Sequence, residues 1–429
     1  MPATPRFERL EQWLEWQQRL HPATIELGLE RVSRVLARTG WRRPAAPFIT
    51  VGGTNGKGSC VALLDALLRA GGSRVVTFTS PHLVDYRERI RVDGTMVSEA
   101  SLIAAFERIA AALGPDSLTF FEFNTLAALL VAETAGPDVV VLEVGLGGRL
   151  DAVNVVDPDV AVVVSVGLDH MDWLGSDTEV IGREKAGIFR SGRPAIYGTP
   201  SPPQSVREAA AQVGARLRVR GEDFDGVIRA DGTWDFLVDD RVRAERLPLP
   251  ALAGQVQVAN AATALLAIDA LSPRLALSRP ALETGLKTVA LAGRLQRIDD
   301  ARGFHWLLDV AHNPAAAAVL ARNLQDSPAA GRTLAVCGML GDKDVQGVVS
   351  QLAGRVQAWF AAHAEGPRAL AVADLIGRAA EVGVHMQPGG SIAQAMAAAT
   401  AQARPGDRIL VFGSFHTVGP ALVALGVPL

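Results

Sequence analysis

The stretch Phe48-Ile-Thr-Val-Gly-Gly-Thr-Asn-Gly-Lys-Gly-Ser59 constrains this chain more than any other. An apolar run of strand length enters a glycine-rich turn. The turn ends in Lys57, Gly58 and Ser59, ahead of a helix-like run over residues 61–68. Glycines let successive backbone N–H groups curl round a phosphate with no Cβ in the way. The N-terminus of the following helix adds partial positive charge. Lys57 is placed to reach the outer phosphates and Ser59 to hold Mg2+. The strict phosphate-loop pattern has Gly where this chain has Val51, and Ser or Thr where it has Gly58. Strand, turn, lysine, hydroxyl and helix still follow in the required order. Residues Thr54, Asn55, Gly56, Lys57, Gly58 and Ser59 therefore read as a nucleoside triphosphate site, for ATP; the other reading is a glycine turn without a ligand.

From Phe48 on, strand-like runs (48–51, 74–79, 138–144, 160–166, 194–197) alternate with helical ones (58–70, 98–113, 124–135). This is the pattern of a doubly wound α/β domain with a mostly parallel sheet. Helical spacing also opens the chain, through Phe7, Leu10, Trp13 and Leu14 and then Val32, Val35 and Leu36. Residues 216–247 are polar and turn-rich and read as a small antiparallel excursion. A helix resumes over 255–270. Near Leu291 a second, smaller, Rossmann-like alternation begins, with strands at 304–310, 333–337, 356–361 and 408–412 and helices at 314–324, 345–352 and 392–403. The expected domains are 1–291 and 292–429. There is no internal repeat.

Nearly half of the 429 residues are hydrophobic, and the formal net charge is −3 without a long basic block. That argues against nucleic acid as the main partner. The apolar runs are too short to span a membrane, and the opening residues lack a signal peptide's apolar core. Cys60 and Cys337 do not suggest a disulfide framework, which fits a reducing cytoplasm.

Ligands bind at the carboxyl ends of parallel strands in this architecture. Glu143 stands there, where Val139-Val-Val-Leu-Glu143 meets the turn Gly145–Gly148. Mg2+ prefers hard oxygen ligands and keeps waters beside one or two carboxylates. Glu143 is thus the expected metal carboxylate, the alternative being a buried pair with Arg149. His170, with Asp169 and Asp172 close by, follows the next strand and reads as a metal ligand or as structural. Glu184 and Lys185, taken alone, are an ordinary solvated pair. In the second domain Asp309 and His312 stand at a strand end, and 341–344 and 413–417 are two more polar turns after strands. Three such turns in one domain suggest a ligand face.

Taken together, these motifs resemble the Mur ligase superfamily and, within it, the folylpolyglutamate synthase/dihydrofolate synthase family. The segments that carry the resemblance are His21-Pro-Ala-Thr-Ile-Glu-Leu-Gly28, Gly53–Ser59, Thr79-Ser-Pro-His-Leu83, Phe120-Phe-Glu-Phe-Asn-Thr125, Glu143–Asp151, Asp169-His170 with Asp172-Trp-Leu-Gly175, Glu184-Lys-Ala-Gly187, Gly293-Arg294, Asp309–Pro314 and Gly341–Asp344. They fall in family order across nearly the whole chain. The resemblance implies that ATP phosphorylates a carboxylate of dihydropteroate, or the terminal glutamate of tetrahydrofolate and its polyglutamates. L-glutamate then attacks the acyl phosphate, in a water-free site closed by the two domains. It implies Mg2+ at two sites among Ser59, Ser80, Glu143, His170 and Lys185, with Lys185 carried as a carbamate or, failing that, in a surface salt bridge. Asn260, Arg294 and Asp309 would contact the nucleotide, and His312 the nucleotide and glutamate. His21, Ile25, Leu27, Gly28, His82, Phe121, Asp151 and Ser414 would bind substrate, Phe121 either stacking on the pterin or packing in the core. Lys57, Lys185, Asp309 and His312 are the expected catalytic group. Phe120–Thr125 is similar to bacterial members that perform both reactions, and a monomer is expected. The alternatives are another amino-acid-adding Mur ligase and a phosphate-loop NTPase acting as a switch.

Overall fold

The computed structural model describes residues 6–300 and 303–427. The chain divides into two compact units. The first runs up to Ser80 and takes in Arg87–Ala251 and Gln257–Val289. The second comprises Ala290 onward with two outlying segments, Pro81–Tyr86 and Leu252–Val256.

The first unit is built on eight strands: β1 (Phe48–Gly52), β2 (Val75–Phe78), β3 (Ile90–Val92), β4 (Thr95–Met96), β5 (Val139–Glu143), β6 (Val160–Val163), β7 (Pro194–Tyr197) and β8 (Arg216–Val219), in the order β4-β3-β2-β5-β1-β6-β7-β8. The six from β2 to β8 in that order are parallel, and β3 and β4 add antiparallel at one edge. β1, β5 and β6 are buried along their whole length, as valine-rich strands covered on both faces must be. Helices Lys57–Ala70 and Phe120–Ala135 are among those beside the sheet. The second starts four residues before the expected Asn124. Thr119 Oγ1 accepts from Glu122 N (3.3 Å) and Glu122 Oε2 from Thr119 N (2.8 Å), a reciprocal cap that fixes the start at Phe120.

Two expectations need correction. β8 is not part of an antiparallel excursion, since it pairs parallel with β7 at the edge of the main sheet. Only β9 (Phe224–Ile228), β10 (Trp234–Val238) and β11 (Arg241–Leu247) form the separate antiparallel sheet. β6 stops at Val163 instead of Val166, because Ser165 leaves the ladder to hold the glycine loop.

The second unit is a six-stranded sheet of β12 (Gln296–Asp299), β13 (His305–Asp309), β14 (Thr333–Cys337), β15 (Ala358–His363), β16 (Gln387–Ser391) and β17 (Arg408–Phe412), ordered β12-β13-β17-β14-β15-β16. All neighbours are parallel except β12 with β13. Strand alternation sends Leu307, Leu410 and Phe412 into one core and Trp306, Leu308 and Val411 into the other. β16, Gln-Pro-Gly-Gly-Ser, reads as a turn in sequence and is a strand only because it sits at an edge, where proline and glycine are tolerated. No helix among the described residues is long and apolar enough to cross a membrane.

Candidate active site

The glycine loop leaves the end of β1 and becomes the Lys57–Ala70 helix at Gly56, whose φ of +86° only glycine adopts freely. A Cβ on Gly56 would stand 2.8 Å from a Val164 methyl and 3.2 Å from Asn260 Oδ1, so Asn260 lies against the loop. The loop is also pinned from the side by the chain after β6. Thr54 N donates to Ser165 O (2.8 Å) and Asn55 N to Ser165 Oγ (3.0 Å). Ser165 Oγ donates to Asn55 O (2.9 Å), and Gly167 N to Thr54 Oγ1 (3.0 Å). Sequence reasoning missed Ser165, which it placed inside a strand; its only signal was a hydroxyl interrupting a valine run. Lys57 Nζ bends back to Gly53 O (3.1 Å) and Thr54 O (3.4 Å), over the loop it is expected to serve. Ser59 is buried two residues along.

Glu143 ends β5 beside Val51 of β1, and its Oε2 accepts from Ser80 N at 3.2 Å. It is buried. Its alternative partner, Arg149, is instead 2.8 Å from Glu184. This corrects the reading of Glu184 and Lys185 as a solvated pair. Glu184 serves Arg149, while Lys185 on the same short helix is buried, 4% exposed. Gly148 makes that burial possible, because a Cβ there would come within 2.9 Å of the carbonyl oxygens of Glu184 and Lys185. Burial, and then the Lys57 charge, draw the Lys185 ammonium pKa down to about 7, against the opposing pull of Asp169 and Asp151. Lys57, Lys185, Asp151 and Asp169 therefore share one electrostatic neighbourhood. Asp151 accepts from Gly145 N, Leu146 N and Val153 N, and burial pushes its pKa up to about 6. His170 directly precedes the short helix Met171–Leu174, its backbone in the left-handed region at φ +52°.

Phe121 lies over Gly145, where a Cβ would be 2.5 Å from its ring, and meets the Phe78 ring at 5.8 Å between centroids. It keeps part of its surface open. The 21–28 arm approaches the same turn through Gly28 N to Leu150 O (3.2 Å). His21 is held within the protein, with Nδ1 2.7 Å from Ser117 Oγ and Nε2 2.8 Å from Glu26. Arg31 ties Glu26 to the buried Glu122. Ile25 and Leu27 are half-buried along this arm.

In the second unit Asp309 ends β13, buried, accepting from Leu295 N (2.9 Å) and Ala311 N (2.8 Å). Burial raises its pKa, and Arg294 and His312 act against that rise. Arg294 lies over the Phe415 ring at 5.1 Å, and His312 Nδ1 is 2.8 Å from Val310 O. Ser414 caps the helix Phe415–Ala424, which had read as a turn only. β13 and β17 are paired through Asp309 and Phe412, so Asp309, His312 and Ser414 gather at one edge of this sheet. His82 belongs to this unit, 6.0 Å from Tyr86 between ring centroids.

Residues 51–212 match the Mur ligase middle domain, and residues 293–415 match the Mur ligase glutamate ligase domain, so the chain is a Mur-type ligase. Within that class it belongs to the dihydrofolate synthase/folylpolyglutamate synthase family. It is 46% identical to the Escherichia coli K12 dihydrofolate synthase/folylpolyglutamate synthase over 95% of this chain and 94% of that one. Its fold is similar to that of E. coli FolC in complex with DHPP and ADP, with a TM-score of 0.92 and 45% identity over 99% of both chains. It is similar, too, to a bifunctional folylpolyglutamate synthase/dihydrofolate synthase with Mn, AMPPNP and L-glutamate bound, with a TM-score of 0.90 and 43% identity over 99% of this chain and 100% of that one.

Proposed function

We propose that this chain is an ATP-dependent ligase that joins L-glutamate to dihydropteroate, and to the terminal glutamate of tetrahydrofolate and its polyglutamates. The observation that carries this reading is the buried Lys185 beside Lys57 at the sheet edge where the glycine loop and Glu143 stand. A switch NTPase has no need of that second lysine, nor of Asp309 and His312. Residues 1–291 act as the ATP-binding domain with pterin elements, and 292–429 as the glutamate ligase domain. Two buried free thiols favour the cytoplasm, where the chain acts as a monomer.

The donor set suits Mg2+. One buried carboxylate, two hydroxyls and an imidazole leave room for the waters and phosphate oxygens this ion keeps. Among the described residues no cluster of three or more His, Cys, Asp or Glu offers an all-protein cage. Ser59, Ser80, Glu143 and His170 would hold the ion, in two sites with Lys185. When bound it supplies neutralisation of phosphate charge. Lys185 as an ammonium opposes a cation there; as a neutral amine it adds CO2, releases a proton and becomes an anionic carbamate.

In the reaction the γ-phosphoryl group passes to the pterin-linked carboxylate and ADP leaves. The glutamate amine then attacks the acyl carbon, phosphate departs, and the amine loses a proton as the amide forms. Lys57 and the Thr54–Ser59 amides hold the phosphates where charge develops. Asn260, Arg294 and Asp309 serve the nucleotide. His312 and Ser414 serve the amino acid. Phe121 and Asp151, with the 21–28 arm and His82, serve the pterin. Incubation with Mg-ATP and L-glutamate, separately with dihydropteroate and with tetrahydrofolate, should add one glutamate mass to each. ATP hydrolysis indifferent to either pterin and to glutamate would overturn the proposal.

A further inference from the structure

A cavity lies away from these residues. It measures about 660 Å3 and is lined by Arg216 and Arg218 of β8 and by Arg241 and Arg243 of β11, over an apolar floor that includes Ile196 and Leu266. Pro194 and Arg216, which open β7 and β8, are among its lining residues. The glycine loop, by contrast, follows the last residue of the parallel strand β1, so the cavity starts at the opposite end of the sheet. The volume is that of a small-molecule site.

Only two carboxylates, Asp239 and Asp269, line the cavity against the four guanidinium groups. Asp239 is 2.6 Å from Arg218, and Asp269 is 3.3 Å from Arg243. Arg216 and Arg241 have no ion pair among the described residues. Arg218 is also paired with Asp223, its Nε lying 3.6 Å from the carboxylate. Two positive charges without an ion pair thus line a concave space. Charged residues on an edge strand block strand-to-strand association, and β8 and β11 each lie at the edge of their sheet. Edge protection does not account for the convergence of arginines from two sheet edges on one cavity.

We infer that this cavity binds a small polyanion, its anionic groups held by the arginine forks. Phosphoanhydride and polycarboxylate ligands share that chemistry. The test is isothermal titration of the full chain in Mg2+-free buffer, with inorganic tripolyphosphate in one arm and citrate in the other. Titrations in the Lys57→Ala background weaken competition from the glycine loop. The double variant Arg216→Gln/Arg241→Gln should weaken binding about tenfold or more, with Arg→Lys at both positions intermediate and the circular dichroism unchanged. The two residues are exposed, so the fold should survive; the single Gln variants serve if the double variant does not fold. Binding of tripolyphosphate alone assigns a phosphoanhydride ligand, and equal or tighter binding of citrate assigns a polycarboxylate. Binding of neither, or a twofold change at most in the folded double variant, overturns the inference. Aggregation of the double variant with unchanged titration would likewise overturn it and give the arginines to edge protection.

Discussion

Lys57 lies close enough to Lys185 to help lower its pKa, and the proposed reaction needs the two in different states. Lys57 must stay an ammonium over phosphate. Lys57→Ala should lower turnover with both pterin substrates by about 10²–10³, and more than about a tenth of wild-type turnover, which such a loss forbids, would remove it from the phosphates. For the proposed carbamate Lys185 must be neutral to take up CO2, and burial beside Lys57 favours that form. Lys185→Ala should be weakly active and recover in part with added acetate, dose by dose, but not with matched chloride. Lys185→Arg should stay inactive, because it fixes a positive charge there. Near-native activity of the Arg variant would reduce Lys185 to a charge partner.

At the scale of elements, the glycine loop works as part of a pair. Ser165 gives it one acceptor and one donor through a single hydroxyl. Ser165→Ala should raise the KM for ATP about tenfold, the value of two modest hydrogen bonds, while leaving thermal stability nearly unchanged. An unaltered KM would mean that the loop holds its shape alone. The N-terminal helices offer a pH test. Asp116 bridges Arg34 and Arg38 of the Glu30–Arg38 helix, both at 2.6 Å, and these bonds hold its pKa down at about 2. A carboxylate depressed by folding contributes stability above its unfolded pKa and loses it as pH falls through the folded one. Asp116→Asn should therefore lower the urea midpoint at pH 7, by an amount that shrinks between about pH 4 and 2. A gap that does not change with pH would point to packing instead.

This scale also shows what the sequence disclosed. The run into Lys57, the valine strand ending in Glu143 and the strand ending in Asp309 were legible, because period, glycine and charge agree locally. The burial of Lys185 was not. It depends on Gly148, 37 residues earlier, admitting the helix backbone, and a Glu-Lys pair alone reads as solvated. Gln387–Ser391 was illegible for the opposite reason, since its composition argues for a turn and only pairing with β15 makes it a strand.

For the whole molecule, the two units have separate hydrophobic cores. One of the two cores of the second unit includes Leu410, Phe412 and Trp359, the last two 6.2 Å apart between ring centroids. Leu410 is fully buried in a central strand, so Leu410→Ala should cost about 2–5 kcal/mol. If the units unfold separately, that cost falls on one of two calorimetric transitions, and two-state behaviour is lost. Hydrogen exchange should then quicken in β13, β14 and β17 while β1, β5 and β6 keep their protection. Added Mg-ADP should raise the transition that carries β1 and β5, by mass action on the folded loop. A single transition that shifts as a body, with exchange quickened equally in both sheets, would show that one cooperative fold spans the chain. The 1–291 and 292–429 division would then describe its topology and not its stability.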